Sequence, residues 1–200
     1  MTKPNKSGNM KFLLGKTFMK FKGWEFEGKL PPEGKFMLIC APHTSNWDFV
    51  YLLAIMFMLR IKVSWMGKHT LFKKPFGGIM RWLGGISIDR RSTHGVVDQI
   101  ADHFKANDDL IIAIAPEGTR HKTDHWKSGF YHIANKAQVP LLLGYVDYEK
   151  KKAGTGPAFV PTGNITKDMD IIRDFYKDIR GDHPEDESDI IMREELNESS

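Results

Sequence analysis

Cysteine is nearly missing from this 200-residue chain, in which Cys40 is the only one. A single cysteine excludes an intrachain disulfide framework, and this fits a reducing compartment such as the cytosol. Cys40 stands in the apolar run of residues 36–41. Because only an exposed and electropositive site activates a thiol, we expect Cys40 to be buried and inert rather than a nucleophile.

Long apolar segments are also missing. The longest uncharged apolar run, residues 49–59, has 11 residues, whereas a helix that spans a bilayer needs about 20. The apolar stretches near the N-terminus are short and interrupted by lysine, unlike the apolar core of a secretory signal. We therefore expect a cytoplasmic protein that does not cross the membrane.

Acidic residues are missing from the first 24 positions, which contain six lysines together with large apolar residues such as Phe12, Leu14 and Phe21. An anionic lipid surface attracts this combination, at about 1 kcal/mol for each cation near the surface. We predict that residues 1–23 form a basic amphipathic segment that holds the protein at the cytoplasmic face of the membrane. A solvated, partly disordered tail is the alternative. Nucleic acid is not an expected partner, because no nucleic-acid-binding motif accompanies the charge.

The C-terminal part of the chain has the opposite charge. Residues 168–200 contain 12 acidic residues and 4 Lys or Arg, so the net charge of +4 for the chain conceals a strongly basic remainder. We predict one domain over residues 24–180, which is long enough to bury a sizeable core. Residues 181–200 are predicted to form an acidic tail that is frayed.

Apolar strands alternate with helical segments along the predicted domain. Strands are predicted at residues 24–28, 36–41, 62–66, 86–89, 110–115, 139–146 and 158–161, and helices at residues 46–60, 95–106, 128–137 and 168–179. This alternation predicts an α/β fold with a single-domain mixed, largely parallel sheet flanked by helices. Functional side chains of such sheets collect in loops at the carboxyl ends of strands.

The first candidate motif is HTSNWD, in which His43 follows the predicted strand 36–41 and Asp48 stands five residues later. Histidine, with an intrinsic pKa of about 6.5, accepts a proton at neutral pH and needs a partner that fixes its tautomer. Five residues correspond to about 140° around a regular helix, which is too far for contact. The two side chains meet only if His43 lies in a loop and Asp48 in the first helical turn. A loop histidine and a helix acid without chemistry are the alternative.

The second motif, PEGTR, follows the predicted strand 110–115. Gly118 permits a tight turn, and Arg120 offers a planar fork of donors that matches a phosphate. Glu117 is suited either to hold that guanidinium or to bind a substrate hydroxyl. An ordinary surface turn with an unremarkable acid and base is the alternative.

Two further blocks complete the pattern. GGISIDRR, residues 84–91, brings glycines and Arg90 to a strand end, although an ordinary strand-to-loop transition has the same appearance. VPL, residues 139–141, places proline at the start of a buried strand, where its role is structural.

Together and in this order, the four blocks resemble the glycerolipid acyltransferase superfamily, which includes the lysophosphatidic acid acyltransferases. HTSNWD is similar to that family's H-x4-D block, GGISIDRR to its G-x-x-x-x-D-R block, APEGTR to its F-P-E-G-T-R block and VPL to its final V-P block. The resemblance covers residues 36–143 and implies a glycerol-3-phosphate acyltransferase-like fold. The chain departs from the family pattern at Ala115, where an aromatic residue is usual, and at Ser87-Ile88, where Phe-Ile is common.

The resemblance implies that a fatty acyl group moves from acyl-CoA or acyl-carrier protein, the co-substrate, to a hydroxyl of a lyso-glycerophospholipid such as 1-acylglycerol-3-phosphate. It implies no metal and no further cofactor. By position, His43 is the general base and Asp48 orients it. The residues that match the family's acceptor-binding positions are Glu117, Gly118, Thr119, Arg120, Arg90 and Lys68.

An acyl groove needs apolar walls. The candidates are Phe49, Met56, Phe57, Trp65, Phe72, Phe76, Met80 and Trp82, each of which would otherwise fill the core.

Other functions stay open. A thioester hydrolase would use the same pair of His43 and Asp48 to activate water, and a membrane-lipid-binding module would use no chemistry. A metal site at His43, Asp48 and His69 lacks any H-E-x-x-H or paired-cysteine spacing. A serine hydrolase is disfavoured, because no G-x-S-x-G elbow occurs.

Overall fold

The computed structural model describes residues 6–32, 34–88 and 95–198. The helices are α1 (Lys6–Lys22), α2 (Trp47–Leu59), α3 (Gly77–Trp82), α4 (Val96–Ala106), α5 (Gly129–Ala137), α6 (Ile165–Tyr176) and α7 (Arg193–Glu198). The strands are β1 (Glu25–Glu27), β2 (Lys35–Cys40), β3 (Val63–Lys68), β4 (Gly85–Ile88), β5 (Leu110–Ile114), β6 (Leu141–Asp147) and β7 (Lys152–Phe159). Short 3-10 helices lie at His69–Phe72 and Pro184–Asp186.

The strands form one seven-stranded sheet in the order β1-β7-β6-β2-β5-β3-β4. Only β6 and β7 pair antiparallel, whereas the other neighbours run parallel. The predicted fold class, a mixed and largely parallel sheet, is therefore confirmed. The central strands β2, β5 and β6 point the same way, so their carboxyl ends meet at one edge of the sheet.

Helices cover both faces of the sheet because the central strands are apolar on both sides. Met37 and Ile39 of β2 face a core cluster shared with α4, α5 and α6. Phe36 and Leu38, which alternate with them, face a second cluster that includes Met56 of α2. Helix α1 packs on α2 on this second side. Within the described residues, no helix is both long and apolar enough to cross a bilayer.

The last strand is longer than predicted. Residues 158–161 were expected to form it, but β7 begins at Lys152 and makes a hairpin with β6. Polar contacts stabilise this start of the strand, since Tyr145 and Lys152 both hydrogen-bond the carboxylate of Glu27 on the edge strand β1. Lys152, which was not predicted to be part of a strand, therefore lies in the sheet.

The acidic C-terminal segment is ordered against the domain as far as residue 198, and the expectation that it is frayed is wrong. Met192 is fully buried and forms a β-bridge with Trp126. Glu195 accepts a hydrogen bond from Arg173 of α6 at 2.9 Å. One buried methionine and a partly buried ion pair thus hold a segment whose composition alone is typical of a solvated tail.

Candidate active site

The motif HTSNWD runs from the end of β2 into the first turn of α2. His43 lies in the loop, and Asp48 is the second residue of the helix. The Nδ1 atom of His43 is 2.9 Å from Oδ2 of Asp48. This is the arrangement that a spacing of five residues requires. Because Nδ1 contacts the carboxylate, Nε2 is the imidazole nitrogen that can accept a proton from a substrate.

The carboxylate of Asp48 is held on both oxygens. Its Oδ2 also accepts hydrogen bonds from the backbone amides of Thr44 and Ser45, each at 3.0 Å. Its Oδ1 accepts a hydrogen bond of 2.7 Å from the Tyr148 hydroxyl. Burial and this hydrogen bond raise the pKa of Tyr148 far above its ordinary value, so the hydroxyl stays a donor at neutral pH. Four donors therefore hold the carboxylate that contacts His43.

Tyr148 and the segment after α6 are parts of this site that sequence reasoning missed. Tyr148 follows β6, whose carboxyl end lies beside that of β2, and this strand-end position was the available signal. The Thr44 hydroxyl accepts a hydrogen bond of 3.1 Å from the His183 amide. Gly181 lies so close that a Cβ there would stand 2.6 Å from the Thr44 hydroxyl oxygen. No local pattern in the sequence indicated that residues 181–183 support the histidine loop.

Glu117 turns its side chain toward the histidine loop. Its Oε1 accepts a hydrogen bond of 3.1 Å from the backbone amide of His43. Among the described residues no donor reaches Oε2, which is buried beside a second cavity of about 190 Å³ that Trp126 also lines. The sequence predicted a substrate-binding role for Glu117, whereas the structure gives its carboxyl a backbone partner and leaves it off the wall of the larger cavity.

Burial raises the pKa of Glu117 to about 7, although the His43 amide and the nearby imidazole counteract it. A carboxyl whose pKa is higher in the folded state stabilises the fold fully below its unfolded pKa of 4.5. This contribution is lost as the pH rises through about 7, because the buried group must then ionise.

We therefore expect Glu117→Gln, which cannot ionise, to gain stability relative to the wild type by about 3 kcal/mol between pH 4.5 and pH 8. Denaturant unfolding of both proteins at several pH values measures this difference. The same substitution at Glu185, whose side chain is 74% exposed, controls for the loss of one charge. A constant difference between Glu117→Gln and the wild type over that range would contradict the assignment.

Cations lie on the opposite side of the PEGTR turn. Gly118 has a φ of +68°, and a Cβ there would stand 2.6 Å from Nζ of Lys127. Arg120 donates a hydrogen bond to the side-chain carbonyl of Asn46, one residue before α2. Both cations are exposed and line the same cavity as His43. Lys127 lies seven residues beyond the motif, and nothing in its sequence context marked it.

The cavity in front of His43 has a volume of about 740 Å³. Its polar end contains His43, Asp48, Thr119, Arg120 and Lys127, and the rest of its wall is mainly apolar. Leu38, Phe49, Leu52, Ile55, Trp65, Val96 and Val97 contribute to that wall. The volume is within the range of small-molecule sites.

The apolar wall agrees only in part with the candidates proposed for an acyl groove. Phe49 and Trp65 line the cavity. Met56 and Phe72 are instead buried, and Phe76 and Trp82 face solvent with 63% and 69% of their surface exposed. Hydrophobicity in the sequence could not distinguish cavity wall, core and surface.

Two predicted site residues lie outside what the structure describes. Arg90 is not among the described residues, and for Lys68 only the backbone is described, at the end of β3. That end of β3 is on the same sheet edge as His43. The side chain of His69 is not described either, and the described residues contain no group of three or more His, Cys, Asp or Glu placed to hold a metal.

Cys40 lies at the end of β2 and touches the cavity. Burial raises the pKa of its thiol to about 12, and the carboxylates of Asp48 and Glu117 raise it further. The thiol is therefore protonated at neutral pH, as predicted, but the residue is half-buried at the cavity wall rather than fully buried.

Comparison with known sequences identifies relatives over most of the chain. Residues 24–142 match the family model described as Acyltransferase. A 1-acyl-sn-glycerol-3-phosphate acyltransferase of Haemophilus influenzae is 30% identical over 149 residues, which make up 70% of this chain and 60% of that protein. A human 1-acyl-sn-glycerol-3-phosphate acyltransferase beta is 27% identical over 160 residues, 76% of this chain and 56% of the relative. The chain thus spans little more than half the length of these relatives.

Comparison with solved structures supports the fold. The crystal structure of a 1-acyl-sn-glycerophosphate acyltransferase, PlsC, from Thermotoga maritima superposes with a TM-score of 0.54. The match covers 85% of this chain and 75% of that protein, at 18% sequence identity. At this identity the similarity establishes the architecture and nothing finer.

Proposed function

Since the chain belongs to the acyltransferase family, whose model matches residues 24–142, we propose that it transfers a fatty acyl group to a hydroxyl of a lyso-glycerophospholipid in phospholipid biosynthesis. The donor is an acyl thioester, either acyl-CoA or acyl-carrier protein, and 1-acylglycerol-3-phosphate is the acceptor expected first. One observation carries the proposal. The oriented pair of His43 and Asp48 faces a cavity with cations at its polar end and apolar side chains along the rest of its wall.

In the proposed reaction, Nε2 of His43 removes the proton from the acceptor hydroxyl while that oxygen attacks the thioester carbonyl carbon. The carbon–sulfur bond then breaks, the ester forms, and the imidazolium returns the proton to the departing thiolate. Asp48 stabilises the positive charge that develops on the imidazole, as a carboxylate does in other histidine-based acyl transfers. The thiolate leaves readily, so no metal is required by the proposed step.

The acceptor's phosphate is assigned to the cationic end of the cavity. Arg120 presents a planar guanidinium there, and Lys127 adds a second positive charge against Gly118. Gly118 and Thr119 line the cavity at this turn, and the missing side chain of Gly118 lets a ligand approach the backbone closely. Glu117 is proposed to act indirectly, by holding the His43 amide from the other side of the turn.

Arg120→Lys is expected to raise the KM for a phosphate-bearing acceptor about tenfold or more, although the charge is kept. Lysine cannot reproduce the planar bidentate contact with phosphate. Steady-state kinetics with varied acceptor and varied donor separate the two sites, and the donor KM should change much less. Lys122→Arg, a substitution at an exposed position that does not line the cavity, serves as the control. If Arg120→Lys impairs acceptors with and without phosphate equally, then Arg120 is not the phosphate ligand.

Thioester hydrolysis is the second candidate, because the same base activates water as well as an alcohol. A direct test incubates purified protein with labelled acyl-CoA or acyl-carrier protein and a panel of lyso-lipid acceptors, followed by mass spectrometry of the products. The proposal predicts a product with the mass of the acceptor plus one acyl group. Free fatty acid as the sole product with every acceptor would establish the hydrolase instead.

We also propose that α1 holds the protein peripherally on an anionic membrane. The helix packs on α2 through Gly15 and Met19, which is 3% exposed, so deleting it would uncover the domain. Its exposed lysines are the better test. Lys16→Gln with Lys20→Gln should weaken binding to anionic vesicles roughly tenfold or more at low salt, at about 1 kcal/mol per lost charge.

Sedimentation with anionic and neutral vesicles at low and high salt measures this effect, which salt should abolish because it screens surface charges. Lys167→Gln with Lys177→Gln, at the two ends of α6, removes the same charge elsewhere. Equal sedimentation of all these proteins in every condition would contradict the proposal that α1 binds the membrane.

A further inference from the structure

Helix α3 exposes more apolar surface than a short helix of a soluble domain needs. Phe76, Ile79 and Trp82 are 63%, 53% and 69% exposed. Their spacing of three residues places them on one side of the helix. The other side is packed, because a Cβ on Gly77 would collide with the backbone of Phe72. Because one side of the helix packs against Phe72, the three exposed side chains on the other side face away from the domain.

Helix α1 likewise has two apolar sides. One side packs on α2 through Gly15 and Met19. Met10, Leu14 and Phe21 lie four and seven residues apart, on a common stripe away from that contact, and are 62%, 58% and 85% exposed. A helix that only needed to cover α2 would not require this second stripe.

Lys11 places the two exposed regions side by side. Its Nζ lies 5.1 Å from the ring centroid of Trp82 and 5.5 Å from that of Phe57 on α2. Lys11 also neighbours the stripe of α1 in sequence. We call the six exposed residues, Met10, Leu14, Phe21, Phe76, Ile79 and Trp82, the α1–α3 surface.

The two stretches of sequence that contain this surface have charges of one sign. Residues 1–24 and 49–88 contain no Asp or Glu, and each stretch contains six Lys or Arg. Lys73, Lys74 and Arg81 are exposed at the two ends of α3. The acidic residues of the chain are instead concentrated beyond residue 168. Large exposed apolar groups in stretches that contain only basic charges fit a partner that offers negative charge over an apolar interior, which describes an anionic bilayer.

The α1–α3 surface is also coupled to the wall of the catalytic cavity. Trp65 lines that cavity, and its ring centroid lies 6.0 Å from that of Phe72, on which α3 rests. The indole of Trp65 donates a hydrogen bond of 3.0 Å to the carbonyl of Leu83, one residue after α3. A surface that contacts lipid at α3 therefore lies one aromatic layer away from the apolar wall of the cavity.

We propose that the α1–α3 surface is a single docking face for an anionic phospholipid bilayer, with Phe76, Ile79 and Trp82 inserted among the lipids. This goes beyond electrostatic attachment by α1, since it assigns insertion to a second helix. It rests on the proposed function, because a lipid acceptor and a lipid product are what make such contact useful. If α3 binds the bilayer, the apolar wall of the cavity lies close to the membrane that contains the acceptor.

The decisive comparison is Ile79→Glu against Ile171→Glu. Both isoleucines are exposed, Ile79 by 53% on α3 and Ile171 by 42% on α6, so the same charge replaces the same side chain. Partition of each protein onto phosphatidylcholine vesicles that contain phosphatidylserine is measured by sedimentation. Ile79→Glu should bind about tenfold or more weakly than the wild type, because an inserted aliphatic side chain is lost and a carboxylate is added. Ile171→Glu should bind like the wild type.

Fluorescence gives a second readout. Lipids brominated in their acyl chains should quench the wild-type protein, and Trp82→Phe should lose most of that quenching if Trp82 is inserted. Transfer to a short-chain acceptor dispersed in water should be unchanged in Ile79→Glu. That assay separates failure of the docking face from failure of the proposed function.

Equal vesicle binding by Ile79→Glu, Ile171→Glu and the wild type would overturn the docking face, even if acyl transfer is observed. An acidic acyl-carrier protein is the other partner that such a surface fits. If Ile79→Glu raised the KM for that donor and left vesicle binding intact, the surface would be a protein-docking site and the bilayer assignment would be wrong.

Discussion

Replacement of His43 by alanine should lower the rate of acyl transfer by about 10² to 10⁴-fold, the range that general base catalysis supplies. The imidazole combines a carboxylate partner with access to the cavity. Its side chain lies in a loop and is 27% exposed, so its removal should leave the fold intact. Initial rates of thiol release in the presence of acceptor measure the loss, and thermal unfolding checks the fold.

His132→Ala is the matched control. His132 also pairs with a carboxylate, Glu194, at 3.0 Å, but it lies on α5 and does not line the cavity. The control should retain wild-type turnover. If His43→Ala retains near wild-type transfer, the proposed general base is wrong.

Asp48→Asn should reduce kcat by about 10⁴-fold at most, with little change in the KM of either substrate. Thr44, Ser45 and His43 all donate to Oδ2, so the asparagine will place its carbonyl oxygen there. Its amide then faces the Tyr148 hydroxyl, which must accept instead of donate. The imidazole keeps its orientation, but the negative charge that stabilises the imidazolium is gone.

Asp168→Asn controls for the loss of a buried, fully bonded carboxylate. Asp168 is 1% exposed and, like Asp48, accepts hydrogen bonds from a tyrosine hydroxyl and a backbone amide. We expect this variant to lose stability without the specific fall in kcat. If Asp48→Asn changed the KM of a substrate more than it changed kcat, Asp48 would bind that substrate rather than orient the base.

The fold was predictable because its strands are short, apolar and separated by recognisable helices. The alternation in β2 sends Met37 and Ile39 to one core and Phe36 and Leu38 to the other, and a strand buried on both faces belongs in a covered parallel sheet. Parallel strands then bring their carboxyl ends together, which is why HTSNWD and PEGTR meet. The extent of β7 was not predictable, since it depends on contacts with the distant Glu27.

The candidate site was predictable only where its residues are close in sequence. His43 and Asp48 meet through one loop and one helical turn, which local geometry allows. The direction of the Glu117 side chain depends on its hydrogen bond with the backbone amide of His43, which lies 74 residues earlier in the chain. The PEGTR motif alone could not predict that contact. Tyr148 and Lys127 enter the site through packing of separate elements, so neither has a local signal. Trp82 is exposed because the opposite side of α3 packs against Phe72, and the sequence did not indicate which side of this helix is buried.

The most direct measurement follows thiol release and lipid product together, in purified wild-type protein with acyl-CoA or acyl-carrier protein and 1-acylglycerol-3-phosphate. We expect ester product and free thiol to appear in equimolar amounts. Both should depend on the acceptor, and His43→Ala should lose both. Thiol release at the same rate without acceptor, accompanied by free fatty acid instead of ester, would contradict acyl transfer to a lipid hydroxyl.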